Sequence, residues 1–225
     1  MKVKKFKTSD IFIGLVFTLL FLSIGVIFTI NFRPLYYLDV NILNIPEKSG
    51  YSKDEIIVNY DALIDYSSPF YKGVLSFPTL ESSPSGIRHF KEVKDIFIFF
   101  YGLAIVSITA AISIIIYKSK KRDASYLLAS SLTAIIFPTV TFLFLAIDFD
   151  KAFVIFHKIF FNNDYWLFDP ATDPVINILP STFFLHCALM IIVFILLGSL
   201  ILYMTYLKLK PRTGIKYRKN RGLNL

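Results

Sequence analysis

The stretch IFIGLVFTLLFLSIGVIFTI (residues 11–30) places no charged side chain in twenty consecutive positions. A helix needs about 20 mainly apolar residues to cross about 30 Å of hydrocarbon. Backbone polar groups in lipid must pair within the segment, so the stretch is predicted to be helical. NFRPLYY follows it, with no small-x-small cleavage site, so we predict a retained transmembrane helix rather than a signal peptide.

Three more apolar runs of this kind follow along the chain. Of the 225 residues 55% are hydrophobic, and the mean hydropathy is +0.61. The sequence therefore predicts a membrane α-helical fold with four transmembrane helices, at residues 11–30, 96–117, 126–147 and 182–207.

The distribution of basic residues predicts the orientation. Lysines precede the first run, a cluster from Lys118 to Arg122 joins the second to the third, and a basic tail fills residues 208–225. By the positive-inside rule both termini are cytoplasmic, which gives a multi-pass cell-membrane protein. The net charge of +8 is then mostly a topology signal, and no nucleic-acid partner is predicted. The single cysteine, Cys187, lies inside the fourth run, so no intrachain disulfide is possible.

Residues 31–94 are predicted to form a small extracellular α+β cap. YYLDVNIL (residues 36–43) has β-favouring residues in partial alternation and predicts a strand, and GVLSFPTL (residues 73–80) is a candidate for a second. EIIVNYDALIDY (residues 55–66) repeats apolar residues at Ile57, Tyr60 and Ile64, a spacing that predicts a short helix.

Residues 148–180 are predicted to be an extracellular interfacial helix followed by a loop. Phe153, Phe156, His157, Phe160 and Phe161 fall on one helical face, as in an amphipathic helix lying at the membrane surface. Tyr165 and Trp166 in the loop are typical of interfacial anchors.

Two histidines, His89 and His157, belong to different outer segments but to the same membrane level. Histidine titrates near neutral pH, which suits proton transfer in acyl chemistry. The alternative is that each histidine is simply a polar residue at the headgroup boundary. Likewise, an aromatic stripe more often packs against the membrane than lines a substrate pocket. His186 is interpreted as a hydrogen-bonding residue between helices, and Ser85 as a turn residue rather than a nucleophile.

The outer aspartates are alternatives for cation binding or for orienting a histidine. No HExxH, calcium-loop or paired-cysteine pattern accompanies them, so no metal site is predicted. Asp169–Pro170 and Asp173–Pro174 are instead interpreted as turn-shaping pairs.

Two segments resemble a known family. NYDALIDYSSPF with FPTLESSPSGIRHFKEVK (residues 59–70 and 77–94) is similar to a signature N-Y-x-x-L-x-x-Y followed by S-x-x-G-x-x-H-F-x-(D/E)-V-K. FHKIFFNNDYWLFDPATDPVINILP (residues 156–180) is similar to F-H-x-x-F-F followed by W-x-x-D-P and D-x-(L/V)-I-x-x-x-P. With four spans in order, the chain resembles the bacterial lipoprotein intramolecular transacylases (Lit). Glu92 stands where the pattern often has aspartate, one methylene shorter.

The resemblance implies that His89 and His157 are catalytic and that no cofactor is needed. The implied substrate is a bacterial lipoprotein with a diacylglyceryl-modified N-terminal cysteine, and membrane lipid is the other expected partner. The acyl chain on the glyceryl sn-2 oxygen would move to the cysteine α-amino group and leave a lyso-form lipoprotein. Substrate contacts are expected from Arg88, Phe153, Phe156, Phe160, Tyr165, Trp166 and Asp169.

Two rival functions fit the same hydropathy. One is a non-catalytic membrane module whose cap binds lipid or an envelope partner. The other is a phospholipid acyltransferase or hydrolase acting at the same interface. Neither the histidines nor the aromatic residues alone separate these from the transacylase.

Overall fold

A computed structural model describes residues 7–209 and is helical throughout its regular parts. Residues 1–6 and 210–225, which carry the first lysines and most of the predicted basic tail, lie outside the described residues. The helices are α1 (Thr8–Asn31), α2 (Pro34–Ile42), α3 (Ile45–Ser49), α4 (Lys53–Ser67), α5 (Pro84–Lys120), α6 (Ser125–Ile147), α7 (Phe149–Phe160), a 3-10 turn (Pro174–Asn177) and α8 (Ser181–Leu209).

Four helices, α1, α5, α6 and α8, are long and apolar enough to cross a membrane, as predicted. Helix α1 packs against the other three, and α6 packs along α8. Close approach is built into the sequence: a Cβ added at Gly198 of α8 would lie 2.5 Å from the Phe21 ring of α1. Gly198 therefore leaves room for the Phe21 ring against the α8 backbone.

Helix α5 is much longer than a membrane requires. Its 37 residues extend about 55 Å at 1.5 Å per residue. Since its apolar part begins near Ile96, the first three turns project beyond the bundle. His89 lies on this extension.

The predicted α+β cap is wrong: no strand occurs within residues 7–209. The stretch proposed as the first strand lies in α2, where Pro34 occupies a first-turn position that suits its fixed φ. Tyr36 and Val40 are fully buried, four residues apart, whereas Leu38 and Ile42 are 58% and 68% exposed. That is a helical period, which partial alternation had concealed. The proposed second strand has no regular structure.

The outer segments share one hydrophobic core. Tyr36 of α2 stacks on Tyr60 of α4, with ring centroids 3.7 Å apart, and its hydroxyl donates to the Ile178 carbonyl at 2.6 Å. The segment after α7 therefore closes the cap. The buried members of the core are Tyr36, Val40, Ile45, Ile56, Tyr60, Leu63, Tyr66, Leu75, Phe77, Leu80, Phe90, Val175, Ile178, Leu179 and Phe183.

A buried ionic network holds the opposite end of the bundle. The Lys118 ammonium lies 3.1 Å from Asp10 Oδ1 and 3.2 Å from Asp123 Oδ2, which joins α5 to α1 and to the α5–α6 turn. Two cavities of about 290 and 310 Å³ open at this end, both bordered by Lys118 and Asp123. Neither is lined by a histidine.

Candidate active site

His89 and His157 lie side by side where α7 meets the projecting end of α5. Their ring centroids are 5.8 Å apart, and the residues are 5% and 8% exposed. The prediction that the two histidine rings lie close together is confirmed. That they are catalytic stays a prediction.

His157 lies on α7, which begins after α6 ends at Asp148. This residue is in an extended conformation, and its carboxylate accepts the Lys151 amide hydrogen at 3.0 Å, which caps the new helix. His157 follows in the third turn of α7. Its Nδ1 lies 2.8 Å from the Phe153 carbonyl oxygen.

That contact fixes the state of the His157 ring. A carbonyl oxygen only accepts hydrogen bonds, so His157 Nδ1 carries the hydrogen. The neutral ring then has its lone pair on Nε2. Burial lowers the pKa of His157, and the hydrogen bond to Phe153 opposes this only in part. A neutral imidazole with a free Nε2 is the form that accepts a proton.

His89 sits in the second turn of α5. The Ser83 hydroxyl caps this helix by accepting the Gly86 amide hydrogen at 3.0 Å, and Pro84 occupies the first turn. His89 Nδ1 is buried and has no hydrogen-bond partner in residues 7–209. Few buried polar atoms in folded proteins lack a partner, so each needs an explanation. Thr29 Oγ1 and Ser130 Oγ, in the spanning helices, are in the same position.

Most of the predicted aromatic residues surround His157. Ring centroids of Phe153, Trp166 and Phe156 lie 4.2, 4.9 and 5.5 Å from that of His157. Phe160 instead stacks on Phe156 at 4.5 Å and is 52% exposed. Phe156 and Phe160 thus extend the apolar wall outward.

Two aromatic residues of the site were missed in the sequence prediction of substrate contacts. Phe161 packs its ring 4.7 Å from His89 and 5.6 Å from His157, and Phe168 packs 5.4 Å from His89. The signal for Phe161 was present, because it follows the helical spacing of Phe153 and His157. Phe168 carried no periodic signal.

A polar rim borders the pair. The Arg88 guanidinium lies over the Tyr165 ring at 5.1 Å, and its Nε is 3.9 Å from Glu92. Both Glu92 oxygens accept from the Asn163 side-chain amide at 3.1 Å. The longer glutamate thus reaches a partner in the α7–α8 loop, and Asn163 is another residue that the sequence prediction missed.

The other polar residues singled out in the sequence make contacts of their own, and the role of Asp169 as a substrate contact stays a prediction. Asp169 is exposed, and its Oδ1 accepts the Ala171 amide hydrogen at 2.9 Å, as expected of a turn residue. His186 Nδ1 lies 2.8 Å from Asp39 Oδ2 and ties α8 to α2. No group of three or more His, Cys, Asp or Glu side chains within residues 7–209 is placed to hold a metal ion.

A profile of the family described as lipoprotein intramolecular transacylase Lit matches residues 11–184. The fold also matches the in meso structure of the membrane-integral Lit from Bacillus cereus, with a TM-score of 0.85 and 42% identity over 89% of this chain and 95% of that one.

Two further structures are of variants of the same Bacillus cereus protein. In one a histidine is replaced by arginine (TM-score 0.79, 42% identity, 89% of this chain and 92% of that one). In the other the replacement is alanine (TM-score 0.80, 41% identity, 89% and 93%). Among curated protein sequences, none matches this chain significantly. The chain therefore belongs to the lipoprotein intramolecular transacylase family, whose members are membrane-integral acyltransferases.

Proposed function

We propose that this chain moves the sn-2 acyl group of a diacylglyceryl lipoprotein onto the α-amino group of its N-terminal cysteine, which leaves the lyso form. The observation that carries the proposal is the buried His89–His157 pair, with ring centroids 5.8 Å apart and a free Nε2 on His157. No other pair of imidazoles comes together in residues 7–209.

His157 is the base in this proposal. The substrate α-amino group has a pKa near 8, so it is largely protonated near neutral pH and must lose that proton before it can attack. Its nitrogen must lose a further proton to give the neutral amide. His157 Nε2 accepts that proton as the amine nitrogen bonds to the ester carbonyl carbon. The tautomer set by the Phe153 carbonyl points to His157 rather than His89 for this step.

His89 is the donor. Burial and the neighbouring His157 lower the pKa of His89 to about 4, so its ring is neutral and donates an N–H hydrogen bond to the tetrahedral oxyanion. One ester bond breaks and one amide bond forms within a single molecule, so neither water nor a cofactor is consumed. The proton that His157 takes from the amine passes to the departing glyceryl oxygen, so both histidines return to their starting protonation states.

The aromatic wall addresses the geometry of the transfer. From the connectivity of the substrate, amine attack closes a ring of about eight atoms, which is unfavourable unless the reactive conformer is held. Phe153, Trp166 and Phe161 around the pair provide rigid apolar surfaces. They also exclude the water that would otherwise hydrolyse the ester.

The orientation follows from charge. The basic cluster from Lys118 to Arg122 and Lys7 lie at the end of the bundle opposite the histidines. We place that end in the cytoplasm and the histidine pair, with the cap of residues 31–94, at the outer face. In a Cys187→Ala background, an impermeant thiol reagent added to intact protoplasts should label Lys72→Cys and not Ser119→Cys; the reverse pattern would remove the proposed substrate from reach.

The reaction is tested on purified variants in lipid with a synthetic diacylglyceryl lipopeptide. His89→Ala and His157→Ala should each lower turnover roughly 10²–10⁴-fold. The double variant should be much less than multiplicatively worse, because the two act as a unit. His186→Ala is the matched control and should keep its activity, because His186 pairs with Asp39 away from the site.

Acyl labelling tests the intramolecular course. A substrate with heavy acyl chains is mixed with an unlabelled one, and each product should carry an amide chain of the same mass as its own glyceryl chain. Scrambled chains would mean an intermolecular or phospholipid acyltransferase. Full activity of both single histidine variants would instead favour a membrane module that binds lipid or an envelope partner.

A further inference from the structure

The two sequence signatures touch each other at Gly86 and Asp173. Gly86, in the first turn of α5, is buried, and a Cβ added there would lie 2.1 Å from Asp173 Oδ1 and 3.3 Å from the Phe168 ring. The backbone of Gly86 is ordinary helix, so its conformation does not require glycine. What requires glycine is the carboxylate packed against it.

Asp173 completes the cap of α5 from a distant part of the chain. It is 3% exposed, and its Oδ1 accepts the Ser83 amide hydrogen at 2.8 Å. The Ser83 hydroxyl in turn accepts from the Gly86 amide. Asp173 Oδ2 accepts the Thr172 hydroxyl at 2.9 Å, so both carboxylate oxygens are used. A carboxylate at this place also interacts favourably with the helix dipole.

His89 follows Gly86 by three residues, almost one turn, so the position of the first turn sets the position of its ring. The loop that carries Asp173 also carries Phe168, which stacks on Phe90 at 5.3 Å and packs against His89. The same loop continues from α7 and thus from His157. One contact therefore relates the elements that bear the two histidines.

We propose that Ser83, Gly86 and Asp173 form a clasp that positions His89 against His157, with Asp173 as a positioning residue that does not touch the substrate. The expected effect of the clasp on kcat rests on the proposed function. Its structural part stands on its own, because ring position is measurable without turnover.

Other contacts keep the loop docked when the clasp is opened. Val175 and Ile178 are 1% and 0% exposed in the cap core, and Ile178 accepts the Tyr36 hydroxyl hydrogen. Loss of the Asp173 side chain therefore frees the first turn of α5 without undocking the loop. The expected result is a misplaced His89 in a folded protein.

The test compares Asp173→Ala with Asp173→Asn and with Glu81→Ala. Misplacement of a catalytic group by about 1 Å can cost on the order of 10²-fold, so Asp173→Ala should lower kcat roughly 10–100-fold with little change in KM. Asp173→Asn keeps an acceptor oxygen for the Ser83 amide and should stay within a few-fold of the parent. Glu81→Ala removes an exposed carboxylate two residues before the Ser83 cap, so it is the matched control and should leave kcat unchanged.

A steric cycle at Gly86 gives the sharper result. Gly86→Ala should be severe in the parent, where the new methyl meets the carboxylate, and mild in the Asp173→Ala background, where it does not. The His89 ring signals in NMR spectra of ¹⁵N-histidine-labelled protein should shift in Asp173→Ala and return in Asp173→Asn, while far-UV circular dichroism stays unchanged.

Two outcomes would overturn the clasp: parental kcat and unshifted His89 signals in Asp173→Ala, or equal harm from Gly86→Ala in both backgrounds. Failure of the proposed function would give a different result. His89→Ala would then be fully active, while Asp173→Ala would still shift the His89 signals. If Asp173→Ala does not fold, Gly86→Ala in the parent decides: shifted His89 signals support the clasp, and unshifted signals overturn it.

Discussion

Lys118→Met isolates the buried ionic network at the end of the bundle opposite the histidines. The Lys118 side chain is 9% exposed and lies between Asp10 and Asp123, whose side chains are 2% and 19% exposed. One ammonium therefore faces two carboxylates, and the local charge of −1 becomes −2 when the lysine is removed.

The two carboxylates differ in how they withstand this loss. Asp123 accepts hydrogen bonds from the Ser125 hydroxyl at 2.6 Å and the Ser125 amide at 3.0 Å, and that hydroxyl holds the pKa of Asp123 below its usual range. Asp10 is left with the Lys7 amide on Oδ2 at 3.2 Å and nothing on Oδ1 from residues 7–209. Breaking a buried ion pair typically costs about 3–5 kcal/mol because a charge is stranded. We expect about 3 kcal/mol here, with most of it arising at Asp10.

The measurement is unfolding of purified protein by SDS titration in micelles, followed by circular dichroism. Lys118→Met should lower the unfolding free energy by about 3 kcal/mol, which is more than a hundredfold in the equilibrium constant. Asp10→Asn added to Lys118→Met should recover most of the loss, and Asp123→Asn should recover less. A loss below about 1 kcal/mol, or equal recovery by the two asparagines, would refute the reasoning that Asp10 carries the stranded charge.

Three further predictions concern single side chains. Burial lowers the pKa of His157, so an NMR titration should give a midpoint below about 6.5 and an Nδ1–H tautomer. The unfolded chain then binds the proton first, so this group lowers stability only as the pH falls below about 6.5, and a midpoint above that value would contradict the burial argument. Trp166→Phe keeps a ring beside His157 but loses the indole hydrogen bond to the Asn163 carbonyl at 2.9 Å, so kcat/KM should fall only several-fold. Trp166→Ala should lower kcat/KM more, and equal falls in the two variants would show that the aromatic ring is not required. His186→Ala should retain activity yet lower the free energy of unfolding by about 1.5–3 kcal/mol, because the buried Asp39 carboxylate, 2% exposed, loses its partner. Adding Asp39→Asn to this variant should restore part of the lost stability, and an unchanged thermal melt of His186→Ala would count against a buried pair.

Hydropathy alone predicts the membrane architecture well, since an apolar run of about 20 residues has few alternatives to a spanning helix. The cap is another matter. Leu38, Val40 and Ile42 alternate with polar residues, as in a strand. Tyr36 and Val40, four residues apart, also fit a helix, and packing on Tyr60 selects the helix. Short segments held by tertiary contacts defeat local patterns.

The site divides along the same line. His89 and His157 stand out by residue type and by membrane level, so their meeting was predictable from topology. Asn163 opposite Glu92, and Asp173 against Gly86, were not, because each contact joins residues more than 70 positions apart in the chain. Asp173 looked like an ordinary residue before proline, and its burial arises only when the loop closes on α5.

The site is divided between the two halves of the chain, and this has a consequence for biosynthesis. A membrane protein is inserted in chain order, so α5 and His89 are in place before α6, α7 and His157 have left the insertion machinery. The hydrophobic core of the cap is still open at that stage, because Val175, Ile178 and Phe183 have not arrived. A nascent or truncated chain therefore presents one isolated histidine on an unsupported helix end. Pairing of the two histidines is thereby deferred until the later helices are in place.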